Sequence, residues 1–177
     1  LLPQEAVINN KNIELDYKII TSGAAEKFMV VLTDITEKRE LECQMEQERK
    51  TLKMVVQVVI SYDDFKEVVA DYKEFCTSLR DKITASNNLN ELVCDIFRTV
   101  HTFKGNFSQF NMNTLADKLH TVEDNIAELN DEVTKKQLIE FFARYDLLEW
   151  LTEELNTLKD ILGEDFFKQD GLLMVDS

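Results

Sequence analysis

From residue 37 to residue 162 the apolar side chains recur at three- and four-residue intervals, and only short polar breaks interrupt them. With four glycines and one proline in 177 residues, little stops a helix once it has started. A chain patterned this way buries its apolar stripes by packing helix on helix. Ser61, followed by Asp63 and Asp64, reads as an N-cap with acids in the first turn. It opens a helix carrying Phe65, Val68, Val69, Tyr72, Phe75, Leu79 and Ile83. The run Ser86-Asn87-Asn88 ends that helix, and a second spans about residues 89–110. Asn111 to Asn113 forms the next break, with Asn a good residue for a left-handed terminus. Leu115, Leu119, Val122, Ile126 and Leu129 line a third helix, and Asn130-Asp131 forms a turn. One long last helix, about 134–162, carries Leu138, Phe141, Phe142, Tyr145, Leu148, Leu151, Leu155, Leu158 and Ile161, with Gly163 as its cap. Short connections make neighbours antiparallel, so the expected fold is mainly α: an up-down four-helix bundle over residues 62–163.

Two other segments precede the bundle. In residues 1–36, Asn12 to Ile20 alternates apolar and polar, Thr21 to Ala25 is a turn, and Phe28 to Thr33 is a second strand. The expectation is a β-hairpin, which needs a neighbour because a lone hairpin is marginal in water. In residues 37–61, Lys38, Leu41, Met45, Glu48, Leu52, Val55, Val59 and Tyr62 mark a heptad seam with Glu48 as its polar interruption. Such a seam fits a parallel coiled coil with a second copy, or equally a helix packed on its own domain. Residues 164–177 read as a C-terminal linker.

The formal net charge of −14 argues against nucleic acid and against an anionic membrane surface. It suits solubility, and would suit a partner with a basic rim. Cys43, Cys76 and Cys94 are isolated and form no metal-binding or disulfide spacing, as in a reduced cytoplasmic protein. The longest apolar run, Val55 to Ile60, is too short to cross a bilayer.

The chemistry concentrates on the second helix of the bundle. Val93, Ile96, Phe97, Val100, Phe103, Phe107 and Phe110 form its apolar stripe, and His101 lies well away from it. Lys104, Gly105 and Ser108 follow at i+3, i+4 and i+7, on the side of the histidine. An exposed imidazole is a nucleophile, a lysine one turn on neutralises an anion, and a glycine lets another protein approach. On the next helix Ala116, His120, Glu123 and Ala127 form a second stripe that an antiparallel turn places beside His101. Glu123 can then accept a hydrogen bond from one imidazole nitrogen and make the other a better nucleophile.

His101-Thr-Phe-Lys104-Gly105 resembles the His-x-x-Lys-Gly signature of histidine phosphotransfer domains. His120-Thr-Val-Glu123 resembles the His-x-x-Glu element of the phosphotransfer domain of chemotaxis-type, CheA-like kinases. The resemblance covers about residues 62–162. It implies that His101 accepts a phosphoryl group from the ATP-binding domain of a histidine kinase and passes it to the aspartate of a response-regulator receiver domain. Lys104 would contact the phosphate, Glu123 orient the ring, His120 join their network, and Gly105 and Ser108 leave room for docking. Asn106 and Asn111 stand where the family often has further glycines. The strand ending in Asp34-Ile35-Thr36 resembles the exit of a PAS sensor domain, which feeds a signalling helix; the plainer alternative is a helix cap at Asp34 or Thr36. Nothing in the chain resembles an ATP-binding motif, so it is not expected to phosphorylate itself, and the resemblance implies the phosphoacceptor part of a histidine kinase. Neither cofactor nor metal is expected, since the Glu-x-x-His spacing of helical di-metal sites is missing. The competing reading is a structural or dimerisation module linking a sensor domain to an output domain, with His101 incidental.

Overall fold

A computed structural model describes residues 2–22, 25–129, 133–163 and 166–167. The tip of the turn at Gly23 and Ala24, the turn at Asn130-Asp131 and nearly all of the 164–177 segment lie outside the described residues. The chain forms two compact units, residues 1–51 and 52–177.

The first unit contains a three-stranded antiparallel sheet, not the expected hairpin: β1 (Glu5–Ile8), β2 (Lys11–Ser22) and β3 (Ala25–Asp34), in that order. β2 and β3 are the two strands that the alternation marks. β1 adds a short edge, pairing Glu5 with Glu14 and Ile8 with Lys11. The extra turn is made by Asn9 and Asn10, both with positive φ (50° and 61°), a conformation Asn tolerates and a tight hairpin demands. Ile13, Leu15 and Tyr17 are half-buried, as period-two alternation requires. The sheet ends in a hydrogen-bonded knot. Asp34 accepts from the Thr36 amide (3.1 Å), the Thr36 hydroxyl (2.7 Å) and Lys11 Nζ (2.7 Å), while Thr36 Oγ1 accepts from the Asn12 amide. Lys11 and the two Thr36 bonds hold the Asp34 carboxyl down at about 2. Helix α1 (Thr36–Ile60) starts from this knot.

The second unit holds the end of α1 and five further helices, one more than the pattern predicts: α2 (Tyr62–Ala85), α3 (Leu89–Gln109), α4 (Asn113–Ala127), α5 (Lys135–Phe142) and α6 (Leu147–Leu162). Ser61 precedes α2, but its side chain makes no cap bond. Its backbone instead carries the helical ladder across, accepting from Phe65 and donating to Gln57. α5 and α6 replace the single last helix. Arg144 and Tyr145 donate to the carbonyls of Phe141 and Phe142, a turn that resets the helical phase between Phe142 and Leu147. The core side of α6 therefore runs Leu147, Leu151, Leu155, Leu158, while Leu148 and Ile161, expected inside, are 40% and 51% exposed. Gly163 caps α6 with φ 83°.

One apolar core joins all of these helices. Its centre is aromatic: Tyr72 of α2 meets Phe103 and Phe107 of α3 edge-on at 5.1 and 5.2 Å, and donates its hydroxyl to the Leu147 carbonyl. α1 belongs to this core as well. Met54 and Val58 are buried (4% and 0% exposed), whereas Leu41, Met45, Leu52 and Val59 of the seam are exposed. Val55 and Tyr62, the other apolar seam positions, pack against the core. A fragment beginning at residue 61 should therefore be less stable than one beginning at residue 52, and Met54→Ala alone should cost about 2–5 kcal/mol. Urea unfolding of the two fragments and of the variant measures this; equal stabilities would show that the end of α1 contributes nothing to the core.

Candidate functional site

The site forms where α3 and α4 fold back on one another. α3 is capped by Asn88, whose side chain accepts from the Glu91 amide. It ends at a left-handed residue, Asn111 (φ 57°). The amide of Asn111 donates to the Ser108 carbonyl (3.0 Å) and that of Met112 to the Phe107 carbonyl (3.0 Å), the paired bonds of a Schellman corner. Met112 is fully buried beneath the corner. Counting outward from Asn111, His101 lies ten residues back and Glu123 twelve residues on. At about 1.5 Å per residue the two sit at similar heights on adjoining helices.

Glu123 is the one buried charged residue described, 7% exposed. One carboxylate oxygen lies 2.6 Å from His101 Nδ1, and the other accepts from Lys104 Nζ. Burial alone would raise its pKa, but the hydrogen bonds from Lys104 and then His101 outweigh burial and hold the group below its ordinary value. Glu123 is thus ionised at neutral pH and can only accept. The proton of a neutral His101 must then sit on Nδ1, leaving the Nε2 lone pair free. The His101 side chain is 62% exposed and that of Lys104 24%. The arrangement is an exposed imidazole held through Nδ1 by a buried carboxylate, with an ammonium on the same carboxylate.

The other expected site residues fall differently. His120 is exposed, and its Nδ1 stands 3.7 Å from both Glu123 and Asp124, too far for a hydrogen bond. It borders the His101–Glu123–Lys104 group at ion-pair distance from Glu123. Asp124, which the pattern reading gave no role, shares this histidine at i+4, a spacing that could have flagged it. Ala116 is buried and Ala127 exposed, so the second stripe straddles the surface. A Cβ built on Gly105 meets nothing within 4 Å, so no packing contact of the described chain requires glycine there. Ser108 is exposed and its hydroxyl donates back to the Lys104 carbonyl.

The chain is similar to the chemotaxis protein CheA of Halobacterium salinarum, with 32% identity over 106 residues that cover 56% of this chain and 16% of the relative. The chain thus spans a small part of that protein's length. No protein-family model matches the chain, and no solved structure does. No described helix is long and apolar enough to cross a membrane.

Because its pKa is lowered on folding, Glu123 contributes stability that is fully present above its ordinary value near 4.5 and is lost as the pH falls through the folded value. Glu123→Gln should melt below the parent at pH 7, and the gap should close in acid below pH 4.5. Thermal melts of both proteins across this range test the point; a gap that does not change with pH would show that the ionised carboxylate is not what stabilises the pair of helices.

Proposed function

We propose that this chain is a phosphotransfer module of a chemotaxis-like histidine kinase and that His101 is its phosphoacceptor. The observation that carries the reading is the exposed imidazole held by a buried, ionised glutamate. The similarity to a CheA protein supports it, and so does the motif pair on α3 and α4. The Nε2 lone pair attacks the terminal phosphorus of ATP held by a kinase domain. An N–P bond forms, the bond to the bridging oxygen breaks, and ADP leaves. Glu123 stabilises the positive charge that develops on the ring, and Lys104 neutralises the incoming phosphoryl group. In the second step a receiver-domain carboxylate attacks phosphorus and His101 departs with the N–P electron pair. Glycine in mid-helix costs about 0.5–1 kcal/mol relative to alanine. A glycine at position 105 that no internal contact requires fits the need for a protein partner to come close. On this reading α2, α3, α4 and the broken α5–α6 pair form the four-helix arrangement of a phosphotransfer domain. Partners are then a kinase ATP-binding domain and a receiver domain, and the setting is the cytoplasm. His120, whose Nδ1 stands 3.7 Å from the carboxylates of Glu123 and Asp124, joins the network around His101 as a second, charge-dependent neighbour.

Incubation with an active kinase domain and ATP should give an acid-labile phosphoryl group on His101 and none in His101→Gln. Glu123→Gln should slow the reaction by ~10- to 100-fold, since an amide keeps a hydrogen bond but not the charge. Phosphate on His120, or label that persists in His101→Gln, would remove the assignment.

The exposed seam supports a second element of the proposal, a parallel dimer through residues 37–62. Leu41, Met45, Leu52 and Val59 are 46–63% exposed and keep heptad spacing, so a second copy would bury them at a and d positions. The strand-to-helix knot at Asp34 and Thr36 supports reading α1 as a signalling helix leaving a PAS-like sensor domain. Sedimentation should show a dimer, and Leu41→Glu with Met45→Glu should give monomers that still accept phosphate. A monomer at high concentration would remove the dimer and leave the phosphotransfer reading standing.

A further inference from the structure

Away from His101, a cavity of 260 Å³ lies between the second half of α2 and the connection from α5 to α6. It opens beside the break in what the sequence pattern expects to be one unbroken helix. Its walls include Leu79, Ile83, Phe142 and Leu147, all buried, together with Ile139. Cys76 completes the wall; burial pushes its thiol up to about 12, so it carries no charge at neutral pH. Two exposed charged residues also line the cavity, Arg80 and Asp146. Neither has an ion-pair or side-chain hydrogen-bond partner among the described residues. Asp146 stands at the N-cap of α6, yet its side chain accepts no cap bond. An apolar chamber edged by one unpaired cation and one unpaired anion has its own chemical complement.

We infer that this cavity binds a free apolar α-amino acid, with the side chain in the chamber, the carboxylate on Arg80 and the ammonium on Asp146. Size fits: the half-open pocket of 260 Å³ has room for a phenyl, indole or branched aliphatic side chain. Guanidinium and carboxylate form a directional, bidentate pair. Charge fits as well. A simple carboxylic acid would meet a chain of net charge −14 and the Asp146 carboxylate, whereas a zwitterion brings no net charge and satisfies both edge groups. None of the lining residues is His101, Lys104 or Glu123, so the inference does not rest on the phosphotransfer reading.

Amide NMR on the full chain, titrated with phenylalanine, leucine and tryptophan, tests it. At least one should produce saturable shifts confined to residues 76–83 and 139–148, leaving 101–123 unmoved. Phenylpropanoate and phenethylamine, which lack the ammonium and the carboxylate respectively, should bind at least about tenfold more weakly than phenylalanine if that is the amino acid bound, and the matching deaminated and decarboxylated analogues should do so for the others. Arg80→Gln and Asp146→Asn, both at exposed positions, should each weaken binding by about the same factor while keeping the dispersion of the parent spectrum. No saturable shift with any of the three amino acids would overturn the inference. So would equal binding of an analogue carrying one charge, or unchanged binding in either variant.

Discussion

A single buried carboxylate joins α3 to α4 at the candidate site. Glu123 accepts from His101 and from Lys104, both on the facing helix, and these two bonds offset the cost of taking a charge out of water. Each of the three groups would be worse placed alone. Without Glu123 the imidazole is a surface rotamer and Lys104 a half-buried ammonium lacking its acceptor; without the two donors the carboxylate is a stranded charge. Geometry and electrostatics therefore support each other, and the outcome is an exposed ring whose orientation and tautomer are set from behind.

The rear of α3 is held as firmly. Phe103 and Phe107 meet Tyr72, and Phe110 meets Phe65 at 5.2 Å. These rings are on the face opposite the histidine, so the histidine side rests on a close-packed aromatic wall rather than on a loop. Tyr72 also reaches α6 through the Leu147 carbonyl, which brings the start of that helix into register with the same wall.

Most of the site was legible because it depends on short-range spacing. His101, Lys104 and Glu123 lie on two helices joined by a break whose Asn111 takes the left-handed conformation that its residue type favours. A helical wheel gives His120 its direction but not its distance, and Nδ1 stands 3.7 Å from the Glu123 carboxylate. The break at residues 143–146 contains neither glycine nor proline. Only its long-range result, Leu147 inside and Leu148 outside, shows that the phase has changed. β1 was missed because it is four residues long, although the Asn9-Asn10 pair was a visible turn signal. The end of α1 is apolar on several sides, so two stripes compete there. Heptad reading selects Val55 and Val59, yet Val59 is exposed and Val55 only borders the core that buries Met54 and Val58. The Cys76–Arg80–Asp146 chamber had no local signature, because it is lined from separate helices and exists only through the break between α5 and α6.

The corner at Asn111 has a metric meaning. Its two backbone bonds fix how many residues separate the last turn of α3 from the first turn of α4, and hence which pairs face each other farther down the hairpin. Adding one residue there would turn α4 by about 100° and advance it by about 1.5 Å, carrying Glu123 off the seam and bringing a neighbour of different chemistry opposite His101. The corner is a ruler about ten residues from the ring it calibrates, and drift in its length would leave the imidazole without its carboxylate while altering no residue that touches it.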